Sequence, residues 1–212
     1  MRKIILACVS NVLMIILPLL GKPALMLNYK ILLLIAGGIF IWLTQPAFTV
    51  EDTSTKKDSD KFSVLLILIM SLISVVAPVV HWAYFMDNPA AFSAFTAIGI
   101  LMMVTGLLFR AWAVKTLGAF FTPTVQIKDE HKLITQGPYS IVRHPSYTGA
   151  FLSIIGSAVI LESWIGFAIA CLAMTIAYYV RITIEENELS AHFGSSYQNY
   201  KHTTKRIIPF VW

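Results

Sequence analysis

Charge is what this sequence has least of: 13% of its 212 residues are Asp, Glu, Lys or Arg, against about 25% in ordinary soluble domains. The few charges are gathered into short islands separated by long uncharged windows, and 57% of the residues are apolar. A soluble enzyme and a disordered chain are both excluded by that pattern. Cysteine is scarce too: Cys8 and Cys171 lie inside apolar runs with no partner spacing, which excludes a secreted disulfide scaffold and a cysteine-ligated zinc site.

What remains is apolar sequence in membrane-sized lengths. A transmembrane helix needs about 20 mostly apolar residues, and residues 4–21, 31–50, 62–86 and 88–109 each supply them, the last after a turn at Asn88-Pro89. A cleaved signal peptide is the rival reading of the first run, but Lys22-Pro23 leads straight into another apolar stretch instead of a polar chain. Residues 145–180 contain one charge, Glu162, and as a straight helix would be roughly 54 Å long. That is too long for one crossing, so a helical hairpin turning at residues 162–164 is expected, with a short first arm. The expected fold is an all-α integral membrane protein of five to six transmembrane helices. A four-helix region spans residues 1–117 and a C-terminal region 118–212, the latter containing the hairpin at 145–184.

Basic residues cluster in loops on the cytoplasmic side of membrane proteins. With the hairpin in place, only Lys22 and Lys30 fall on one face, while Arg110, Lys115, Arg143, Arg181, Arg206 and the other basic residues share the opposite one. Both termini are therefore expected in the cytoplasm, together with the polar segments 115–143 and 181–212. The net charge of +5 reads as an orientation signal toward the bilayer and not as a nucleic-acid footprint.

The linker 51–61 carries mixed charge without an aromatic or apolar anchor and is assigned no chemistry. The segment 120–139 alternates apolar and polar residues before breaking at Gly137-Pro138. Pro145 suits the first turn of a helix, whose free N–H groups attract an anion. After the hairpin, residues 181–194 continue the helix out of the bilayer, and 195–206 read as a second amphipathic helix after a break at Gly194. Gly149, Ser153 and Ser157 form a small-residue stripe suited to close packing within the hairpin.

Gly137-Pro138-Tyr139 with Arg143-His144-Pro145-Ser146-Tyr147-x-Gly149, followed by Glu185-Glu186 and Phe193-Gly194-x-x-Tyr197-x-x-Tyr200, resembles the isoprenylcysteine carboxyl methyltransferase family over roughly residues 126–209. The resemblance implies methyl transfer from S-adenosylmethionine, leaving S-adenosylhomocysteine, to the α-carboxylate of a prenylated C-terminal cysteine, with a prenylated protein and the lipid bilayer as partners. No Gly-x-Gly-x-x-Gly follows a strand, so no Rossmann domain is expected and the cofactor pocket would lie in the cytoplasmic segments. Carried over residue by residue, the family's cofactor positions fall on Gln126, His131, Lys132, Leu133, Ile134, Tyr139, His144, Pro145, Ser146, Tyr147 and Glu185. Arg181 falls on the position that binds the substrate carboxylate and is the expected catalytic residue; no metal is implied.

The residues themselves leave plainer readings beside these. Arg181 also suits an interfacial arginine paired with Glu185 four residues on, His144 a helix cap, and Tyr139 and Tyr147 interface anchors. Glu186 and Glu188 read as solvated surface carboxylates, and Tyr197 and Tyr200 as packing for the last helix. Glu188 and His192 have metal-ligand spacing but lack a third ligand. Other functions that fit the same pattern are a phospholipid amine N-methyltransferase, an NADPH-dependent sterol reductase and a membrane binding or transport protein.

Overall fold

Backbone polar groups in a hydrocarbon layer must be satisfied internally, so long uncharged runs that enter it fold as helices. A computed structural model describes residues 2–45, 58–87, 91–122 and 132–209. Its α-helices are, in order, α1 Arg2–Asn11, α2 Tyr29–Thr44, α3 Asp58–Phe85, α4 Ala94–Leu117, α5 Pro145–Ile160, α6 Trp164–Phe193 and α7 Ser195–Thr203. Among the described residues there is no strand, only an isolated bridge between Val142 and Lys205. α1 runs on through a π turn, Val12–Ile16, into a 3-10 turn, Leu17–Leu19, where Pro18 lacks the N–H that a continuing α-helix requires.

Three helical stretches are long and apolar enough to cross a membrane: Lys61–Phe85, Ala94–Phe120 and Trp164–Phe193. Lys3–Leu19, Tyr29–Thr44 and Pro145–Ile160 are apolar but shorter, so three of the five or six expected spans have full length. Large apolar side chains face outward along the bundle, among them Leu13, Leu65, Leu101, Leu108 and Leu172, each at least half exposed. Such a surface is suited to lipid, not water, as an integral membrane protein requires.

The hairpin turns where the sequence suggests, between Ile160 and Trp164. Glu162 takes a left-handed backbone conformation there, φ 55°, and its carboxylate accepts from Lys30 Nζ at 3.1 Å and from Thr96 Oγ1 at 3.1 Å. This ties the hairpin tip to α2 and α4. Tyr84 bonds Gly21 and Pro18 in the same region, so Lys22 and Lys30 sit at the end of the bundle opposite the segments 132–143 and 195–206.

Two sequence expectations are corrected. α4 starts at Ala94, where the Ser93 hydroxyl accepts from the Phe95 and Thr96 amides, and it continues to Leu117. Arg110 is consequently a buried residue of that helix and not part of a loop. The Asn88-Pro89 turn lies outside the described residues. The stripe through Gly149 packs α5 on α4, not within the hairpin: a Cβ on Gly149 would fall 2.5 Å from the Gly106 carbonyl and 2.6 Å from the Arg110 amide. Small residues on both helices let the two backbones meet, and that contact fixes the start of α5 against the end of α4.

Candidate active site

α6 is 30 residues long, so it extends past α5 and carries side chains beyond the apolar core. Residues four apart share one helix side, and Arg181, Glu185, Leu189 and Phe193 form a single stripe that walls a cavity. The stripe covers about 18 Å at 1.5 Å per residue. Opposite it stand Leu117, Phe120 and Phe121 at the end of α4, Leu133 and Ile134, and the N-terminal turn of α5 with His144, Ser146 and Tyr147. The cleft encloses about 100 Å³ and opens to solvent.

Local backbone devices bring these segments together. Gly194 has φ 52°, a conformation that costs other residues strain, and it reverses the chain so that α7 runs back along α6. Lys201 Nζ then reaches Ser190 Oγ at 2.9 Å. The Arg143 and His144 amides donate to the Lys205 and Arg206 carbonyls at 2.8 and 2.9 Å, which docks the C-terminal segment on the entrance of α5.

The polar end is organised by two adjacent carboxylates. Tyr147 donates to Glu185 Oε2 at 2.9 Å and accepts from Arg181 Nε at 3.3 Å, so one phenol joins the two charged groups. Arg181 is buried and also donates from Nη1 to Ser63 Oγ at 2.8 Å. Glu186 is buried, contrary to the surface role expected for it. It accepts from Arg143 Nε at 2.8 Å and pairs with Arg206 Nη2 at 2.9 Å. Arg143 donates further to the Lys201 and Thr204 carbonyls. The physical reason is that α7 and the C-terminal segment fold over this side of α6 and exclude water from it.

His144 bridges both carboxylates, with Nδ1 3.6 Å from Glu185 and Nε2 3.4 Å from Glu186. Burial alone would lower its pKa, but the charge and hydrogen bonds of Glu185 and Glu186 outweigh burial and raise it above the ordinary histidine value. Tyr139 is buried, its hydroxyl 3.4 Å from the Ala113 carbonyl and its own carbonyl bonded by Tyr200. Burial, then the nearby Glu185 charge, pushes the Tyr139 phenol upward, so it stays protonated.

A second cavity of about 330 Å³ adjoins the first. Its walls are mainly apolar, including Met14, Leu34, Ile67, Met103, Leu107 and Ile154. Ser10, Ser153 and Ser157 also face it, but each donates to a carbonyl of its own helix, which removes their donors from the cavity. Phe121, Thr122, Tyr147 and Arg181 line both cavities. Arg110 lines the second; it donates to the Ser146 carbonyl at 3.0 Å and to Gln45 Oε1 at 2.5 Å, while its buried Nε has no partner among the described residues.

Of the residues singled out in the sequence, Lys132, Leu133, Ile134, Tyr139, His144, Ser146, Tyr147, Arg181 and Glu185 line the first cavity. Pro145 is buried behind it as the first residue of α5. Gln126 and His131 lie outside the described residues. Sequence reasoning missed Arg110, Arg143, Glu186 and Arg206. An arginine ending an apolar run was the available signal for Arg110, because such a residue is costly and tends to be functional. Among the described residues no group of three or more His, Cys, Asp or Glu could hold a metal ion.

A family model described as phospholipid methyltransferase matches residues 94–196. The chain is 35% identical over 181 residues to the protein-S-isoprenylcysteine O-methyltransferase of Dictyostelium discoideum, which covers 81% of this chain and 71% of that protein. It is 37% identical over 116 residues to protein-S-isoprenylcysteine O-methyltransferase B of Arabidopsis thaliana, covering 53% and 58%. A probable enzyme of the same name from Oryza sativa subsp. indica is 34% identical over 116 residues, covering 54% and 61%. The match thus spans about three-fifths of the length of the plant relatives. The solved structure of the eukaryotic intramembrane Ras methyltransferase, isoprenylcysteine carboxyl methyltransferase, is similar with a TM-score of 0.69 and 26% identity, covering 99% of this chain and 75% of that one.

Proposed function

We propose an activity for a chain that belongs to the protein-S-isoprenylcysteine O-methyltransferase family: transfer of a methyl group from S-adenosylmethionine to the α-carboxylate of an S-prenylated C-terminal cysteine. The observation that carries this reading is the junction of two unlike cavities, one polar at its inner end and one apolar, at Arg181 and Tyr147. A prenyl chain suits the second cavity, since its walls offer apolar contacts and few unused donors. The carboxylate at the end of that chain would then meet Arg181, with Arg110 flanking it.

The residues of the first cavity fit S-adenosylmethionine. Glu185 suits an α-ammonium and is positioned by His144 Nδ1, Ser146 suits an α-carboxylate, and Leu133, Ile134, Leu189 and Phe193 suit an adenine. When bound, S-adenosylmethionine supplies an electrophilic methyl on a sulfonium. The chain's own residues have no proton to remove, because an α-carboxyl ionises near pH 3.3–3.7. Their task is positioning, which can supply much of a barrier reduction. The Arg181 guanidinium is held by Ser63 and Tyr147, so it can orient a carboxylate oxygen through a planar fork. Apolar walls around the junction exclude water, favouring a step in which opposite charges are consumed. Two guanidiniums at the junction argue against the other acceptor considered, a cationic phospholipid amine. The same reading puts the site, the basic segments and both termini on the cytoplasmic face.

The test supplies purified protein with methyl-labelled S-adenosylmethionine and either N-acetyl-S-farnesylcysteine or a phospholipid extract. Base-labile label on the farnesylcysteine is expected; label in phospholipid instead would refute the carboxylate acceptor. Arg181→Ala should cut turnover by about 100-fold or more with cofactor affinity kept, whereas Glu185→Ala should weaken the cofactor. The reverse pattern would overturn these roles.

A further inference from the structure

α2 ends where the sequence makes it end. Pro46 follows Gln45, and a residue before proline is pushed out of helical into extended backbone. Gln45 accordingly caps α2 with φ −73° and ψ 135°. Its side chain reaches Arg110, whose Nη2 donates to Oε1 at 2.5 Å. A guanidinium can only donate, so the amide atom facing it is the oxygen, and the two N–H donors of Nε2 are left over. Nε2 has no hydrogen-bond partner among the described residues. It is not among their buried unpaired atoms either, so it is accessible to a ligand.

Gln45 lines the apolar cavity. Deeper polar groups there spend their hydrogen bonds on the protein: Asn11 Nδ2 donates to the Ala7 carbonyl at 2.7 Å, and the Ser71 hydroxyl turns to Met174 Sδ at 3.9 Å. Gln45 stands instead at the end that meets the cleft. Its partner Arg110 donates to the Ser146 carbonyl at 3.0 Å, and the next residue, Tyr147, accepts from Arg181 Nε at 3.3 Å. Gln45, Arg110, the first turn of α5 and Arg181 thus form one line of polar groups across the junction, with Gln45 and Arg181 at its two ends.

We infer that Gln45 is a specificity-determining residue for the acceptor, its Nε2 donating to the carbonyl oxygen of the peptide unit that precedes the prenylated cysteine. This rests on the proposed carboxylate acceptor. The α-carbon of that cysteine carries a carboxylate, a thioether arm and an acylated nitrogen. With the carboxylate at Arg181 and the prenyl chain in the apolar cavity, the acylated nitrogen is the substituent still to be placed, and its acyl group offers a carbonyl oxygen. An amide donor matches that oxygen without adding charge, so it does not compete with the guanidiniums for the carboxylate. The contact distinguishes a prenylated chain end from a lipid that has the same carboxylate but no peptide unit.

The test compares N-acetyl-S-farnesylcysteine with S-farnesylthiopropionate, which keeps the prenyl chain, the thioether and the carboxylate but has no α-nitrogen. Each is measured with the purified protein in detergent as kcat/KM, or as Ki where it binds without turnover. Gln45→Leu should lower the preference for N-acetyl-S-farnesylcysteine over the thiopropionate by roughly 3- to 10-fold. Gln45→Glu keeps an oxygen for Arg110 and loses the donor, so it should lower that preference at least as much, and it decides the matter if the leucine variant does not fold. The effect of its added charge on the carboxylate is common to both compounds and cancels in the ratio. An unchanged ratio would overturn the contact, and equal losses for the two compounds would leave Gln45 as a support for Arg110 alone. Failure of the unmodified protein to methylate or bind either compound would instead sink the carboxylate methyltransferase reading itself.

Discussion

Adjacent residues on a helix point about 100° apart, so Glu185 and Glu186 cannot face the same space. Glu185 faces the cleft, and Glu186 faces the clamp of Arg143 and Arg206. His144 spans the gap between them, and its protonation couples the cleft to the clamp. The raised His144 pKa means that the folded state binds more protons than the unfolded one near neutrality. Its contribution to stability is therefore complete below about pH 6.5, the ordinary histidine value, and is lost as pH rises through the higher folded value. Thermal unfolding in detergent should show a midpoint that falls from about pH 6.5 upward, and His144→Gln should flatten that dependence; an unchanged slope would remove His144 as its source. In the sequence, Glu185 and His144 were legible because they sit in recognisable motifs. The burial of Glu186 was not, because it depends on α7 folding back, a long-range event that one-dimensional polarity does not encode.

At the scale of elements, the apolar runs gave the helices and their order, and Glu162-Ser163-Trp164 gave the hairpin. Their ends were less legible. The start of α4 depends on the Ser93 cap rather than on where hydrophobicity begins, and α1 gives way to a π turn at Val12 and a 3-10 turn around Pro18 although the sequence stays apolar. Which helix the small-residue stripe of α5 would meet was not readable either, since Gly149 and Ser153 license close approach to any neighbour. The observed neighbour is α4, and the contact has a consequence for the site: Arg110 sits beside Gly149 and donates to Ser146 one turn earlier. Gly149→Val should force the two backbones apart, because the nearest atoms to an added Cβ are backbone and cannot rotate away. A destabilisation of about 1–3 kcal/mol or more is expected, read as a lowered unfolding midpoint, together with a fall in farnesylcysteine turnover as Arg110 and the entrance of α5 shift. Wild-type midpoint and turnover in this variant would contradict the role given to the α4–α5 contact.

For the molecule as a whole, scarcity of charge becomes a matter of where the charges stand. Lys30 and Glu162 pin the far end of the bundle, while Arg181, Glu185, Glu186 and His144 are concentrated where α6 leaves the apolar core. Between these ends lies the apolar cavity, bordered by α1 to α6 and meeting the polar cleft at Tyr147 and Arg181. Under the proposed activity, a water-borne donor and a membrane-borne acceptor would approach one point from two media, each in the surroundings that suit it. This arrangement separates the two binding steps and makes them independently testable. Ser71 lines the apolar cavity and not the cleft. Ser71→Phe should fill part of that space, lowering kcat/KM for N-acetyl-S-farnesylcysteine by about tenfold or more, equivalent to about 1.4 kcal/mol, while the affinity for S-adenosylhomocysteine stays as in the unmodified protein. If turnover is unaffected, the acceptor reaches Arg181 by another route. If both ligands weaken together, the cavities do not act as separate sites, and the wall shared at Tyr147 transmits the change from one to the other.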